Sequence, residues 1–183
     1  GVGLIKDYKK MISMGLKEVD NLVLIIGKTE GHIDQSLFAR TILDEKNGPP
    51  PEVNLFNEKN NGESILNLID KGYVKSAHDI SLGGLLVAIS KMCIKGNKGI
   101  KINKSKNLIN EIEYFFAEDQ GRYLIEVNKE DLKEVTKILN KNSVHHEELG
   151  IITQNDMIIN EKTKVTIDEL KSYYTNWLSK YMS

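Results

Sequence analysis

Cysteine is nearly absent from this 183-residue chain: the one copy, Cys93, sits in an apolar helical stretch. It can form no internal disulfide, reads as a small buried residue, and makes a reducing cytoplasm the expected setting. Long apolar runs are missing as well. The longest, Leu22 to Ile26 and Leu85 to Ile89, fall far short of the roughly 20 residues a membrane-spanning helix needs, and nothing ahead of them reads as a secretory signal. Neither sign of charge is in excess, with 25 Lys and Arg against 26 Asp and Glu. Without a basic tail or cluster, that balance argues against nucleic acid or a polyanion as partner. An initiator Met is also lacking, and the Gly-Val-Gly start is read as a piece of a longer protein. Proline is confined to one place, Pro49 to Pro51, which predicts a single extended connector.

What is present alternates between strand-like and helix-like patterns. Asn21 to Gly27, NLVLIIG, is a short continuous apolar run, the pattern of a strand covered on both faces. Ile33 to Leu43 carries a helical spacing that stops near Asn47-Gly48. Asn54 is placed to cap a helix running to about Lys71, with Gly72 as its stop. Tyr73 to Ile80 reads as a strand and Leu82 to Ile94 as a helix, its apolar positions Leu85, Leu86, Ile89, Met92 and Cys93 falling on one face. A strand at Gly99 to Asn103, a helix at Leu108 to Phe116 and a strand at Tyr123 to Val127 follow. Asn128 is expected to cap the next helix, with Glu130 and Asp131 in its first turn. Strands near Ser143 to Thr153 and Asp156 to Asn160 precede a last helix opening on Thr166-Ile-Asp-Glu169, a capping box. This irregular alternation predicts an α+β domain, a mixed sheet with flanking helices.

Three polar clusters carry possible chemistry. In SAHDISLGGLLVAI, a strand ends on His78-Asp79 and a helix begins after Ser81, Gly83 and Gly84. Ser81 can cap the helix, and the two glycines allow a ligand or another backbone to come close; free N–H groups at a helix start attract anions. Asp79 can hold a divalent cation, a ribose hydroxyl or the turn itself, and His78 can bind phosphate or carry a proton. The same residues are equally the ordinary makings of a turn. In Phe116-Ala-Glu-Asp-Gln-Gly-Arg122, Glu118 and Gln120 can orient a small polar ligand, while Arg122 can pair with Asp119, a contact of little energy if exposed. In Thr29 to Ser36, Gly31 permits a turn, and His32 and Gln35 can face a partner. His145 and His146 read as solvent or sheet-edge residues, with no ligand set at zinc-like spacing.

Five segments in order, GKTEGHIDQSLFARTIL, GPPPEVNLFNEKNNGESILNLIDKG, SAHDISLGGLLVAIS, FFAEDQGRYLIEV and ELGIIT, resemble the C-terminal domain of the phosphoribosylformylglycinamidine synthase large subunit over nearly the whole chain. LSKYMS resembles the chain end of that family. The resemblance implies the C-terminal fold of aminoimidazole ribonucleotide synthetase, one domain over 1–183 with 1–19 as an inter-domain lead-in. It implies a role in an ATP-dependent ligase of purine biosynthesis that replaces an amide oxygen of formylglycinamide ribonucleotide with ammonia. ATP and Mg2+ would be bound mainly by other domains, and partners would be those domains, a glutaminase subunit and a small assembly subunit. The fragment alone is expected to be inactive, with no catalytic residue and no metal ligand of its own. His78, Asp79, Ser81, Gly83, Gly84, Glu118 and Gln120 are its ligand-binding candidates. The resemblance implies a tandem duplication in which this chain is the second-half copy, where the Glu118-Asp119-Gln120 position faces a pseudo-equivalent site that is structural or vestigial and ligand binding at the strand-end turn is an open alternative. Two departures stand out, Leu82 where the family carries an acid and Asp34 where it carries glycine. The alternatives are another superfamily member, such as aminoimidazole ribonucleotide or selenophosphate synthetase, and a docking module without a ligand; the Gly-His-x-x-Gln-Ser segment and the proline triplet disfavour the two synthetases.

Overall fold

The structure is a computed structural model and describes residues 4–5, 7–102 and 110–182. Strand β1 (Leu22–Ile26) sits inside a seven-stranded sheet and is buried along its whole length. Side chains alternate across a strand. Val23 and Ile25 therefore enter one core while Leu22, Leu24 and Ile26 enter the other, which is why the run is continuously apolar. The other strands are β2 (Val74–Ile80), β3 (Gly99–Ile102), β4 (Arg122–Val127), β5 (His146–Thr153), β6 (Asp156–Ile159) and β7 (Thr163–Thr166). Their order is β2-β4-β1-β5-β3-β6-β7, with every neighbour antiparallel except the parallel pair β3 and β6.

Among the described residues six α-helices flank the sheet: α1 (Leu37–Thr41), α2 (Leu55–Asp70), α3 (Gly84–Gly96), α4 (Glu111–Phe116), α5 (Leu132–Lys141) and α6 (Ile167–Met182). Helices α2 and α5 cover one face through Ile65, Leu68, Val135 and Leu139. The other face is covered by α3, α4 and the start of α6 through Leu85, Ile89, Met92, Phe115 and Ile167. Cys93 lies in this second core, where burial pushes its thiol up to about 12. The α+β class expected from the sequence is what the chain adopts.

Local chemistry sets most boundaries. The Asn54 side chain accepts from the Asn57 N–H at 3.0 Å and starts α2, which ends at Asp70 just ahead of Gly72. The Thr166–Glu169 capping box opens α6, the Glu169 N–H donating to the Thr166 hydroxyl at 3.2 Å and the Thr166 N–H to the Glu169 carboxylate at 2.9 Å.

Several expectations need correction. The helix expected over 33–43 shrinks to α1, because Gln35 adopts φ 61 and Ser36 becomes the cap, its hydroxyl accepting from the Ala39 N–H. The expected helix at Leu82 begins at Gly84, with Gly83 as cap; Ser81 contributes its carbonyl, which accepts from the Gly84 N–H at 2.9 Å. Asn128 does not cap α5: its amide donates to Asp131, and a 3-10 turn at Lys129–Asp131 comes first. Strand β5 starts at His146 because Ser143, at φ 54, is still in the preceding turn. His146 is consequently within the sheet, paired with Ile26, and not at an edge. Strand β7 was not expected. The expected features at 1–3, Asn103, the start of the 108–116 helix and Ser183 lie outside the described residues.

Candidate functional site

The end of β1 and the starts of β4 and β5 meet the first turns of α2 around an open cleft of about 630 Å3. Lys28, His32, Asn57, Glu58, Gln120 and His145 are among its lining residues. Two loops frame it, and a buried acid and base hold them together. Asp119 accepts three successive backbone N–H groups: Glu30 at 3.0 Å, Gly31 at 3.2 Å and His32 at 3.0 Å. Arg122 is fully buried and donates to the Asp119 carbonyl, the Thr29 hydroxyl and the Ala117 carbonyl. Its guanidinium lies 3.7 Å from the Asp119 carboxylate. Burial lowers the Arg122 pKa while Asp119 opposes that shift; a guanidinium stays charged through it. The expected exposed pair is thus a buried joint, because Gly121 at φ 64 turns the chain back under the loop.

The strand-end turn lies apart from this cleft lining. His78 and Asp79 close β2, with His78 Nδ1 3.1 Å from an Asp79 oxygen. Burial lowers the His78 pKa; Asp79 opposes and Lys91 adds to the shift. The start of α3 is already partnered. One Glu118 oxygen accepts the Gly83 N–H at 2.8 Å and the Leu37 N–H at 2.7 Å, so a single carboxylate joins the starts of α1 and α3. The close approach that Gly84 permits is made by the chain itself: a Cβ there would lie 2.7 Å from the Phe116 carbonyl carbon and 2.8 Å from the Ala117 oxygen. Stacking of Phe38 on Phe116, centroids 4.7 Å apart, reinforces the joint.

Of the seven candidates, Gln120 faces the cleft, Glu118 bridges two helix starts, and His78, Asp79, Ser81, Gly83 and Gly84 cluster at the turn. His32 and Gln35 hold their own chain: His32 Nε2 is 3.0 Å from the Pro49 oxygen, and Gln35 donates to the Lys46 and Gly48 carbonyls. Asp34 packs against Gly48, and Leu82 is exposed. Sequence reasoning missed Asn57, Glu58 and Asn61, whose i, i+1, i+4 spacing on α2 was the available signal. Among the described residues no three His, Cys, Asp or Glu side chains converge as metal ligands. With the Gly83 N–H held by Glu118, these residues do not fit a Mg2+–triphosphate cradle on their own.

Fold and cleft together define an α+β domain whose mixed sheet ends at an open polar cleft. The family described as AIR synthase related protein, C-terminal domain, matches residues 18–160, and the chain belongs to it. The phosphoribosylformylglycinamidine synthase subunit PurL of Pelagibacter ubique is 65% identical over 182 residues, covering 100% of this chain and 25% of the relative. The chain therefore spans about a quarter of the length of that curated relative. T. maritima PurL complexed with FGAR shares the fold, with a TM-score of 0.75 at 19% identity, over 88% of this chain and 29% of that one. E. coli HypE does so with a TM-score of 0.61 at 16% identity, over 85% of this chain and 51% of that one.

Proposed function

We propose that the chain works as the C-terminal domain of a phosphoribosylformylglycinamidine synthase synthetase subunit, with residues 1–19 as the lead-in from a preceding domain. The whole enzyme would use ATP to activate the amide oxygen of formylglycinamide ribonucleotide and replace it with ammonia, releasing ADP and phosphate. A glutaminase subunit would supply the ammonia, a small subunit would assist assembly, and the reaction would run in the cytoplasm. ATP and Mg2+ would be held chiefly by other domains. The observation that carries this reading is the 65% identity across essentially the entire chain.

Within that enzyme, this domain would wall a second cleft and contribute no catalytic group. Gln120 would present its amide to a polar ligand there, and Asp119 and Arg122 would hold the loops that frame it. His78, Asp79, Ser81, Gly83, Gly84 and Glu118 would form the neighbouring strand-end half-site. A second reading, docking without a ligand, is favoured by Glu118 already filling the α3 start. Calorimetric titration of the chain with formylglycinamide ribonucleotide and, separately, magnesium-ADP separates the two. Saturable heat that fades in Asp79→Ala and Gln120→Ala supports the half-site; absence of heat both here and on titration of the full-length subunit carrying those same two substitutions against its wild type supports docking. Amidine formation by the 183-residue chain alone would overturn the noncatalytic assignment.

A further inference from the structure

Helix α6 begins inside the domain and ends outside it. Ile167 is buried and Leu170 packs against the α3-side core. Residues three and four apart share a helix face. The same stripe therefore continues through Tyr174, Trp177 and Tyr181. Their exposure rises along the helix from 49% to 61% to 82%, while Tyr173 beside them stands at 81%. Sixteen residues make a helix of about 24 Å, long enough for its second half to leave the core that holds its first turn. An aromatic stripe of this kind is costly to leave in water and marks an interaction surface.

Two observations indicate what covers the stripe. The family match stops at residue 160, before α6, so the helix lies beyond the matched fold. The Pelagibacter ubique relative instead matches over essentially the full chain, α6 included, and carries three further quarters of polypeptide. We infer that the Tyr174–Trp177–Tyr181 face of α6 docks on another domain of the same longer subunit, against an apolar surface with oxygen acceptors for the tyrosine hydroxyls and the indole N–H. Trp177, the sole tryptophan, is centred in the patch with its ring centroid 6.3 Å from that of Tyr181, the arrangement expected of a contact anchor. The inference rests on reading the chain as one domain of a synthetase subunit.

The test is hydrogen exchange of α6 in the full-length subunit, with α3 as internal control. Amides of 174–181 are expected to exchange about tenfold or more slowly there than in the 183-residue chain. The double variant Trp177→Ser, Tyr181→Ser in the full-length subunit should restore fast exchange in α6 while leaving α3 protected. Equal α6 exchange in the wild-type and variant subunits would overturn the inference. Protection in the 183-residue chain that grows with its concentration would overturn it as well, since a second copy would then be the occupant. If the isolated chain fails to protect α3, the comparison of the two full-length proteins decides alone. Assay of amidine formation by the full-length subunit with magnesium-ATP, formylglycinamide ribonucleotide and added ammonium salt, in place of the glutaminase, tests the underlying reading separately: an inactive subunit with a protected α6 would sink that reading and keep the contact.

Discussion

Glu126, which has no part in the cleft lining, gathers four hydrogen-bond donors. It is fully buried on β4, and its two oxygens accept the Lys17 N–H, the Glu18 N–H, the Asn21 amide and the Ser76 hydroxyl at 2.8 to 3.0 Å. Four donors compensate the desolvation of one carboxylate and pin the segment ahead of β1 to the sheet. Glu126→Ala strands all four, and a buried unsatisfied donor costs about 1–3 kcal/mol. A loss of about 3–5 kcal/mol in urea unfolding is expected, with a smaller loss for Glu126→Gln, which retains one acceptor. His78 gives a pH signature. Its folded pKa lies below the ordinary 6.5, so the unfolded chain takes up the proton more readily. The stability it contributes is complete above pH 6.5 and is lost as pH falls through that value toward the lower folded one. Wild-type stability measured against that of His78→Gln should show this fall; a difference independent of pH between 5 and 7, roughly the window for histidine, would refute it.

At the scale of elements, the joint between the segment after α4 and the starts of α1 and α3 is the tightest constraint near the strand-end turn. Gly84, at φ 71, lets Phe116 and Ala117 lie against the first turn of α3, which in turn brings Glu118 to the Gly83 N–H. Gly84→Ala adds a left-handed backbone penalty to a clash with backbone that cannot rotate away. A destabilisation of about 3 kcal/mol in chemical denaturation is expected. The Glu118 bridge should loosen with it, visible as faster hydrogen exchange at the Leu37 and Gly83 amides. By contrast, α2 depends on local signals, its Asn54 cap and its apolar row, and should respond to substitutions there independently of the joint.

Across the whole molecule, the first strand must wait for the last third of the chain. Leu22 pairs with Val127 on one side and Ile151 on the other, so neither core closes until distant segments arrive. Non-local sheets of this kind fold in about milliseconds to seconds, and chains of this length commonly populate intermediates. Stopped-flow refolding should accordingly show a slow main phase on that scale, and a single microsecond phase would contradict the topology.

The sequence by itself determined the α+β class, the double burial of β1, the extent of α2, the capping of α6 and the buried inert Cys93. Each depends on periodicity, a cap or a short apolar run, chemistry that acts within a few residues. Only the tertiary structure decided that β3 and β6 run parallel, that β7 extends the edge, and that Asp119, Arg122 and Glu126 are buried. It alone showed that Gly84 admits the chain's own backbone and that Glu118 fills the α3 start. The partners in these contacts stand apart in sequence, 35 residues from Gly83 to Glu118 and 109 from Lys17 to Glu126. A side chain's own type cannot report a donor that only folding brings within 3 Å of it, and long-range pairing is what distinguishes a structural carboxylate from a ligand-binding one.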